Sequence, residues 1–439
     1  MRTIGLDVHK SFAEVAILGP GHALARRRIA TDPAALSTFA QTLSKDDHVV
    51  LEATMNTWAI AELLTGHAGR VVVSNPLRTK AIADAKIKTD KVDARVLAQL
   101  LAADFIPEVW VPDARTRRLR REVAQRAALV RQQTQLRNQA HAILHRNLVA
   151  APMSDLFGVA GRRWLAELAL PAEERAHLDA IMRLLGPVAA EIETCDRALA
   201  ESVLAEPRAL RLLTLPGVGA ATALAIVAAS GEIRRFARPN KLVSYLGLDP
   251  RVRQSGERPA HTGHISRQGQ AHARGLLIEA AHAAVGTPGP LRAFFRRVRA
   301  RRGEQVAIVA VARKLVVLCW HLLTSERDYR WARPTLVAKK RRKLELASGA
   351  PRLPGGGRRP GPTLRQRREA ERAALEEAEA EYRAFVAARR TATDAAAATG
   401  VRRSTALEGQ IRGGAFTPTL RSSHGVDRVR AKDIPSVDG

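Results

Sequence analysis

Cysteine and long apolar runs are both scarce in this chain of 439 residues. Its two cysteines, Cys195 and Cys319, lie far apart in sequence, which excludes a disulfide framework and a cysteine-based zinc site. No stretch reaches the roughly 18 uninterrupted apolar residues of a membrane span, and the N-terminal segment MRTIGLDVHKS carries an acid where a signal peptide is apolar. We therefore expect a soluble cytoplasmic protein that has no membrane as a partner.

Acidic residues are too few to balance the basic ones. Lysine and arginine total 71 against 43 aspartates and glutamates, so the formal net charge is +28. Residues 1–113 hold 13 basic and 13 acidic residues, residues 114–338 hold 36 and 18, and the remainder holds 22 and 12. A neutral region with its own acids is thus joined to a strongly basic one, which favours a phosphate-rich partner such as nucleic acid. A polybasic protein of the membrane surface is the alternative.

Hydrophobic periodicity and composition divide the chain into four regions. Strand-like segments come first and then alternate with helical ones, which predicts an α/β domain over residues 1–113. Two long helical patterns fill residues 114–206 and could form either an antiparallel hairpin or the coiled coil of a dimer. Residues 207–335 predict a mainly α-helical, basic domain. Residues 336–439 predict a low-complexity basic tail, mostly flexible, with one lone charged helix from Leu364 to Arg390.

Four carboxylates in the first region are candidates for a shared site. Asp7 lies within the first predicted strand and Glu52 near the end of the next buried one, while Asp90 and Asp93 share a face at the start of an amphipathic helix. Carboxylates brought together in this way suit a hard cation such as Mg²⁺. The alternative is that Asp7 caps a turn, that Glu52 is solvated, and that the helical pair complements the helix dipole. His9 shares a strand face with Asp7 and could reach the same site.

The basic domain contains two candidate contacts for phosphate. Gly217 and Gly219, in the segment TLPGVGAATALAIVA, leave backbone amides bare at a helix start and resemble a helix-hairpin-helix element; a plain glycine loop is the alternative. A loop further on concentrates five arginines around a serine that composition alone would assign to a turn. The arginines are Arg251, Arg253, Arg258, Arg267 and Arg274.

Seven segments, in this order along the chain, together resemble one family. They are GLDVHK, LEAT, KTDKVDAR, LPGVG, YLGLDP, SGERPAHTGHISRQGQAHAR and VAIVAVARKLVVLCWHLL. The set resembles the DEDD transposases of the insertion-sequence-110 type, which are related to the pilin-gene invertases and to the bridge-RNA-guided recombinases. The resemblance covers residues 1–335 and leaves the tail outside it.

This resemblance implies a fold, a mechanism and partners. The first domain would have the RuvC-like, Holliday-junction-resolvase form of the ribonuclease H fold, and its four acids would be catalytic residues that bind Mg²⁺. A serine of the basic domain would form a covalent link to DNA; Ser255 is the best match and Ser266, in GHIS, is the second. The resemblance also implies a homodimer or homotetramer, a noncoding guide RNA, and a nucleoid-associated location in a prokaryotic cytoplasm.

Three functions are therefore compared. The first is a DNA transposase or site-specific recombinase that cuts and rejoins strands with Mg²⁺-binding acids and a serine nucleophile. The second is a junction endonuclease in which water attacks and no covalent link forms. The third is a non-catalytic nucleic-acid-binding protein whose acids are structural. The four acids in family order favour the first.

Overall fold

The computed structural model describes residues 1–82, 89–256, 259–352 and 362–398. The chain divides into two compact units, Met1–Arg115 and Thr116–Gly439, each with its own core. Arg258, one of the predicted nucleic-acid contacts, lies outside the described residues.

The first unit is a mixed α/β domain, as predicted. Its central sheet has the order β3-β2-β1-β4-β5, in which the first three strands are antiparallel and the last two pair in parallel beside β1. The strands are β1 (Thr3–Val8), β2 (Phe12–Leu18), β3 (Leu24–Ala30), β4 (His48–Glu52) and β5 (Arg70–Ser74). The helices are α1 (Pro33–Gln41), α2 (Thr57–Thr65), α3 (Pro76–Ile82) and α4 (Asp90–Ala102).

Burial on both faces of β1 and β4 makes this sheet the centre of the unit. Ile4 and Leu6 of β1 and Val49 and Leu51 of β4 are fully buried in one core cluster. Val50 of β4, on the opposite face, is buried in another cluster with Leu97 and Leu101 of α4, so β4 is covered on both sides. Helix α4 packs across β1 and β2 on the face where Ala16, Leu18, Ala94 and Ala98 form a second cluster.

The second unit begins with two long helices in antiparallel contact. They are α5 (Ala114–Arg146) and α7 (Ala172–Leu204), joined by the short α6 (Val159–Glu167). Arg126 pairs with Asp196, Ser202 Oγ donates to Glu122 at 2.7 Å, and Arg146 pairs with Glu174 at 2.7 Å. These pairs join the start of α5 to the end of α7 and the end of α5 to the start of α7, so the two helices form an antiparallel hairpin within the chain.

The remainder of the second unit is mainly helical, with one small hairpin of strands. The helices that build its core are α8 (Pro207–Leu212), α9 (Ala220–Ser230), α10 (Pro239–Tyr245), α11 (Ala271–Val285), α12 (Pro290–Arg302) and α13 (Glu304–Ser325). Strands β6 (Pro250–Arg253) and β7 (His261–Ile265) form the antiparallel hairpin. A core of leucine, valine and alanine joins these helices, and every residue from Thr222 to Ser230 in α9 is buried.

One helix of the described chain, α13, is long and apolar enough to cross a membrane by length and composition. Half of that window is buried, and Val311, Leu315 and Cys319 belong to the core of the second unit. Arg313 and Lys314 interrupt its apolar sequence. The core helix of a soluble protein satisfies the same criteria, so this helix is weak evidence for a membrane.

The last described helices are packed, which corrects the expectation of a lone helix in a flexible tail. They are α14 (Pro334–Ala347) and α15 (Leu364–Ala398). Helix α15 contacts α12 and α14, and its residues Leu375, Ala378 and Glu379 are buried. The buried face of α15 combines Leu375 and Ala378 with the charged Glu379, so apolar periodicity alone does not identify it as buried.

Candidate functional site

The carboxylates of Asp7 and Asp90 approach each other on either side of His9. The Nε2 atom of His9 lies 3.2 Å from Asp7 Oδ2 and 3.3 Å from Asp90 Oδ2. Single ligand atoms from all three residues lie within 4.8 Å of one another. The imidazole of His9 also stacks on Phe12, with ring centroids 4.7 Å apart, which fixes the ring beside the two acids.

Close contact between α4 and β1 brings these groups together. A Cβ at Gly5 would lie 2.1 Å from the carbonyl oxygen of Ala94 and 2.7 Å from the amide nitrogen of Ala98, so only glycine allows this approach. Asp7 is two residues further along the same face of β1, toward the N-terminal end of α4 where Asp90 and Asp93 are located. Thr89 caps that helix, with its side chain accepting from the amide of Val92.

Glu52 and Asp93 lie close to this cluster without joining the three-residue set. Leu6 of β1 pairs with Leu51 of β4, so Asp7 and Glu52 occupy the next positions on the two neighbouring strands. Asp93 is one turn into α4 and raises the pKa of Asp7 through its negative charge. Asp7 and Glu52 thus lie at the same edge of the sheet, and Asp90 and Asp93 lie in the first turn of α4. The sequence left the role of His9 undecided.

The pKa of Asp7 is raised from its ordinary value. Burial is the largest cause; the adjacent His9 lowers the pKa, and the charges of Asp90 and Asp93 raise it further. Crowded carboxylates of this kind gain stability from a bound cation, which replaces their mutual repulsion with attraction. Oxygen ligands suit a hard divalent ion, and their separations approach about twice a metal–oxygen distance of about 2.1 Å. The donor set fits a divalent metal.

The β6–β7 hairpin presents a surface of one charge sign. A cavity of about 420 Å³ is lined by Arg251, Arg253 and Arg267 together with His261 and His264. Arg251 donates to the carbonyl oxygen of Ser266 at 3.2 Å, and Arg267 has a φ of 57° in the left-handed region. Clustered guanidinium groups in an open cavity provide the donors that phosphate oxygens accept.

The two candidate serines have different environments. Ser255 is exposed in the loop between β6 and β7, and within the described residues its hydroxyl has no hydrogen-bond partner. Ser266 donates its hydroxyl to Asp249 Oδ1 at 2.8 Å and its amide to the Asp249 carbonyl oxygen at 2.8 Å. Ser255 is therefore available to an incoming substrate, whereas the hydroxyl of Ser266 already has a structural role.

The turn between α8 and α9 has the helix, glycine turn and helix that the sequence predicts. Gly217 has a φ of 76°, and a Cβ there would collide with the carbonyl oxygen of Ala280 at 2.0 Å. Gly219 precedes α9, which has no side-chain cap, and a Cβ at Gly219 would meet only open space. Gly217 therefore serves packing, and Gly219 is the position where backbone amides are open to an anion.

A half-buried lysine, which the sequence did not single out, supports this turn. Lys340 of α14 donates to the carbonyl oxygens of Leu213 at 2.7 Å, Leu215 at 3.2 Å and Val218 at 2.7 Å. Burial lowers the pKa of Lys340 to about 8. Arg274, a predicted nucleic-acid contact, is similarly used inside the fold: its Nη1 donates to the Leu246 carbonyl oxygen at 3.2 Å.

Two family sequence profiles match this chain. The profile of the DEDD transposases of the IS110 type matches residues 4–147, and that of the transposase IS116/IS110/IS902 family matches residues 209–296. The chain is 28% identical over 343 residues to a probable family 20 transposase of Pseudomonas aeruginosa, covering 74% of this chain and 98% of that protein. It is 25% identical over 297 residues to the pilin gene-inverting protein of Moraxella bovis, covering 64% and 81%. A transposase for insertion sequence element IS1111A of Coxiella burnetii is 36% identical over 124 residues, covering 27% and 34%.

The fold, the acidic cluster and these matches define the class of this protein as an enzyme that cuts and rejoins DNA. The matched regions include the acidic cluster in the first unit and the basic hairpin in the second. The chain belongs to the IS110 family of transposases.

Proposed function

We propose that this transposase cuts and rejoins DNA strands with a Mg²⁺ site in its first unit and Ser255 as the nucleophile of its second unit. The approach of Asp7 and Asp90 around His9 carries the proposal, because ligand atoms of all three residues lie within 4.8 Å of one another, within reach of one divalent ion. The strand order β3-β2-β1-β4-β5 supports a RuvC-like ribonuclease H fold for the unit that holds them.

The acids would act by orienting a divalent ion against the scissile phosphate. Asp7, Asp90, Glu52 and Asp93 offer carboxylate oxygens from one edge of the sheet, and His9 fixes the first two relative to each other. A bound Mg²⁺ supplies positive charge that polarises the phosphodiester and stabilises the leaving oxygen. The protein contributes the geometry of the site and the burial that strengthens this electrostatic effect.

The serine step conserves the energy of the phosphodiester bond. Ser255 Oγ forms a bond to phosphorus, the bond to one sugar oxygen breaks, and the serine proton ends on that oxygen as a hydroxyl. Attack of a sugar hydroxyl on the serine-linked phosphate reverses the same changes and rejoins a strand. No external energy source is needed, and Arg251, Arg253 and Arg267 lie on the same hairpin to meet the phosphate charge.

A covalent protein–DNA adduct tests the nucleophile. Labelled substrate DNA is incubated with the protein and separated on a denaturing gel, where we expect an adduct that is absent from Ser255→Ala. Ser266→Ala is the matched control and should retain the adduct, because that hydroxyl serves Asp249. An unchanged adduct in Ser255→Ala would remove this serine from the mechanism. Cutting at full rate without any adduct would favour attack by water.

Metal binding tests the acidic cluster separately. Calorimetric titration of Mg²⁺ and Mn²⁺ should show a site that Asp7→Asn weakens by at least about tenfold, since one of its carboxylate ligands is lost. Asp46→Asn, an exposed acid of the same unit, is the control and should leave the affinity unchanged. Equal affinities in both variants would place the metal elsewhere.

We also propose a noncoding guide RNA and a homodimer or homotetramer as working partners in a prokaryotic nucleoid. The net charge of +28 supports a nucleic-acid partner, and exchange between two DNA ends supports more than one subunit. Sequencing the nucleic acid that copurifies with the protein tests the RNA. An RNA that pairs with both DNA flanks of the gene is the expected result, and copurified RNA of random sequence would contradict it.

A further inference from the structure

Helix α15 is attached to the second unit through one face. Leu375, Ala378 and Glu379 are buried and lie within about one helical turn of one another. Glu371 lies one turn before them on the same face. This face contacts α12 and α14. The other faces of α15 are exposed to solvent.

Two glutamates of α15, Glu371 and Glu379, attach the helix to the rest of the unit and pair with arginines there. Glu379, only 2% exposed, accepts from the Gly289 amide at 3.0 Å and from Arg292 Nε at 2.8 Å, and it pairs with Arg296 at 3.2 Å. Burial raises the pKa of Glu379, but these hydrogen bonds outweigh burial, and the pKa lies below its ordinary value. Glu371 accepts from the amide and the hydroxyl of Thr335, each at 2.7 Å.

A groove of about 650 Å³ opens between α15 and the segment that joins α11 to α12. Its charged lining consists of five arginines and one acid: Arg292, Arg333, Arg365, Arg368, Arg372 and Glu369. Arg292 and Arg333 have buried or half-buried glutamate partners. The three arginines of α15 are exposed to the groove opening and carry the charge that an incoming partner would meet.

These three arginines form a row on one side of α15. Residues 365, 368 and 372 follow the three- and four-residue spacing of one helix face, so the row is about 10 Å long at about 1.5 Å per residue. Arg365 pairs with Glu369 at 2.9 Å and Arg372 with Glu376 at 3.0 Å. Exposed pairs of this kind stabilise a helix only weakly, so a phosphate can replace the carboxylate. Within the described residues Arg368 has no protein partner.

We propose that this groove binds the phosphate backbone of double-stranded DNA, as a contact additional to the β6–β7 hairpin and the α8–α9 turn. Successive phosphates of one strand advance about 3.4 Å along the duplex axis, so a row of about 10 Å that runs parallel to that axis can contact about three of them. Guanidinium groups match phosphate oxygens in pairs of hydrogen bonds. The choice of DNA as the polymer rests on the DNA-cutting activity of the class.

Paired arginine substitutions on the same helix test this contact. Arg365→Gln/Arg368→Gln removes two charges that line the groove, and Arg367→Gln/Arg383→Gln removes two from exposed positions of α15 outside it. Binding of a labelled 30-base-pair duplex is measured by anisotropy from low to high salt. The first variant should lose about tenfold in affinity, and its plot of log affinity against log salt should be shallower by about 1.8. The second should change less than half as much.

A lysine variant, an RNA ligand and a folding control complete the experiment. Arg365→Lys/Arg368→Lys should recover part of the affinity, since it keeps the charge and loses the paired hydrogen bonds. Equal losses in the two glutamine variants, or no loss in either, would overturn the proposal. A larger loss for a hairpin RNA of equal length would overturn the assignment to DNA. Circular dichroism should show unchanged helix content.

The cutting reaction separates this proposal from the proposed mechanism. The groove variant should need about tenfold more DNA for half-maximal cutting, in line with its loss of affinity. Arg367→Gln/Arg383→Gln, outside the groove, should cut like the unmodified protein. Asp7→Asn should lose cutting while retaining the full effect of the groove substitutions on affinity. If Asp7→Asn cuts normally, the proposed mechanism fails and the groove proposal remains supported. If the groove substitutions leave the DNA affinity unchanged, the groove proposal fails and the mechanism remains supported.

Discussion

The two units of this transposase differ in charge: the first is neutral overall, and the second is strongly basic. The first unit has a balanced charge, yet it brings Asp7 and Asp90 together around His9, where burial and repulsion raise the pKa of Asp7. The second unit has a large basic excess, and Arg251, Arg253 and Arg267 line an open cavity at the β6–β7 hairpin, whose loop holds the exposed Ser255. The comparison teaches that the net charge of a unit indicates what kind of polymer it binds. A few carboxylates that the fold keeps close together, despite their mutual repulsion, indicate a candidate metal site.

The strongest test of this comparison removes one acid. We expect Asp90→Asn to lower the rate of DNA cutting by at least about 1,000-fold, because a metal ligand is lost at the step where charge develops. Its affinity for DNA should stay within about twofold, measured by anisotropy. Asp46→Asn should cut normally. A large loss of DNA affinity in Asp90→Asn would mean that the two roles are not separated as described.

A second test concerns the packing that positions the acids. Gly5→Ala should lower the free energy of unfolding of the first unit by about 3 kcal/mol, because its Cβ would collide with the backbone of α4. Urea unfolding measures the change. Gly19→Ala is the control, since a Cβ there has no neighbour closer than 3.7 Å. Similar stability in both variants would show that α4 can move away from β1 without loss.

A third test concerns Lys340 in the second unit. Lys340→Met should lower the free energy of unfolding by about 2 kcal/mol at pH 7, because three carbonyl oxygens lose a charged donor. In the unmodified protein the pKa of this lysine is about 8, against 10.5 in an unfolded chain. Between these values the unfolded state binds more protons, so this residue makes the free energy of unfolding rise with pH.

The pH dependence supplies the control for that substitution. Urea unfolding at pH 7.5, 9 and 10 should show a rise in the unmodified protein that is smaller in Lys340→Met. Leu346→Met, an exposed position on the same helix, should keep the full rise. The same rise in Lys340→Met would assign it to another residue.

The smallest expected effect sharpens the role of the basic hairpin. Arg251→Gln/Arg253→Gln should weaken DNA binding by about tenfold and make its salt dependence shallower, because two phosphate contacts are lost. Arg163→Gln/Arg183→Gln, from exposed positions of α6 and α7, provides the control with the same change of charge. Cutting at saturating DNA measures whether the hairpin serves binding alone. A control with the same loss would reduce the hairpin's role to general charge.

Sequence reasoning predicted what depends on local pattern and missed what depends on distant contacts. The strands around Asp7 and Glu52 and the helix that begins at Asp90 follow from periodicity and capping residues. Gly5 gave no signal, because its function depends on the backbone of α4 about ninety residues later. The position of His9 between two carboxylates likewise needed the register of β1 against α4, which a strand pattern cannot supply.

Helix α15, in the last part of the chain, also depends on distant contacts that the local sequence does not reveal. Its proline, glycine and charge indicated a flexible tail, and the many charged residues of the helix concealed its short apolar stripe of Leu375, Ala378, Tyr382 and Phe385. In the structure Glu379 serves as the anchor that an apolar residue would normally provide, through contacts with Gly289 and Arg292. A buried charge with distant partners has no pattern in local sequence, so composition alone assigned the helix to solvent.

The contact of Lys340 with the α8–α9 turn has a consequence for the order in which the protein matures on the ribosome. Val218 precedes Lys340 by 122 residues, so a nascent chain completes that turn long before its supporting ammonium has been synthesised. Until translation passes α14, the three carbonyl oxygens must be hydrated. The newly made enzyme therefore completes this turn only after α14 has left the ribosome.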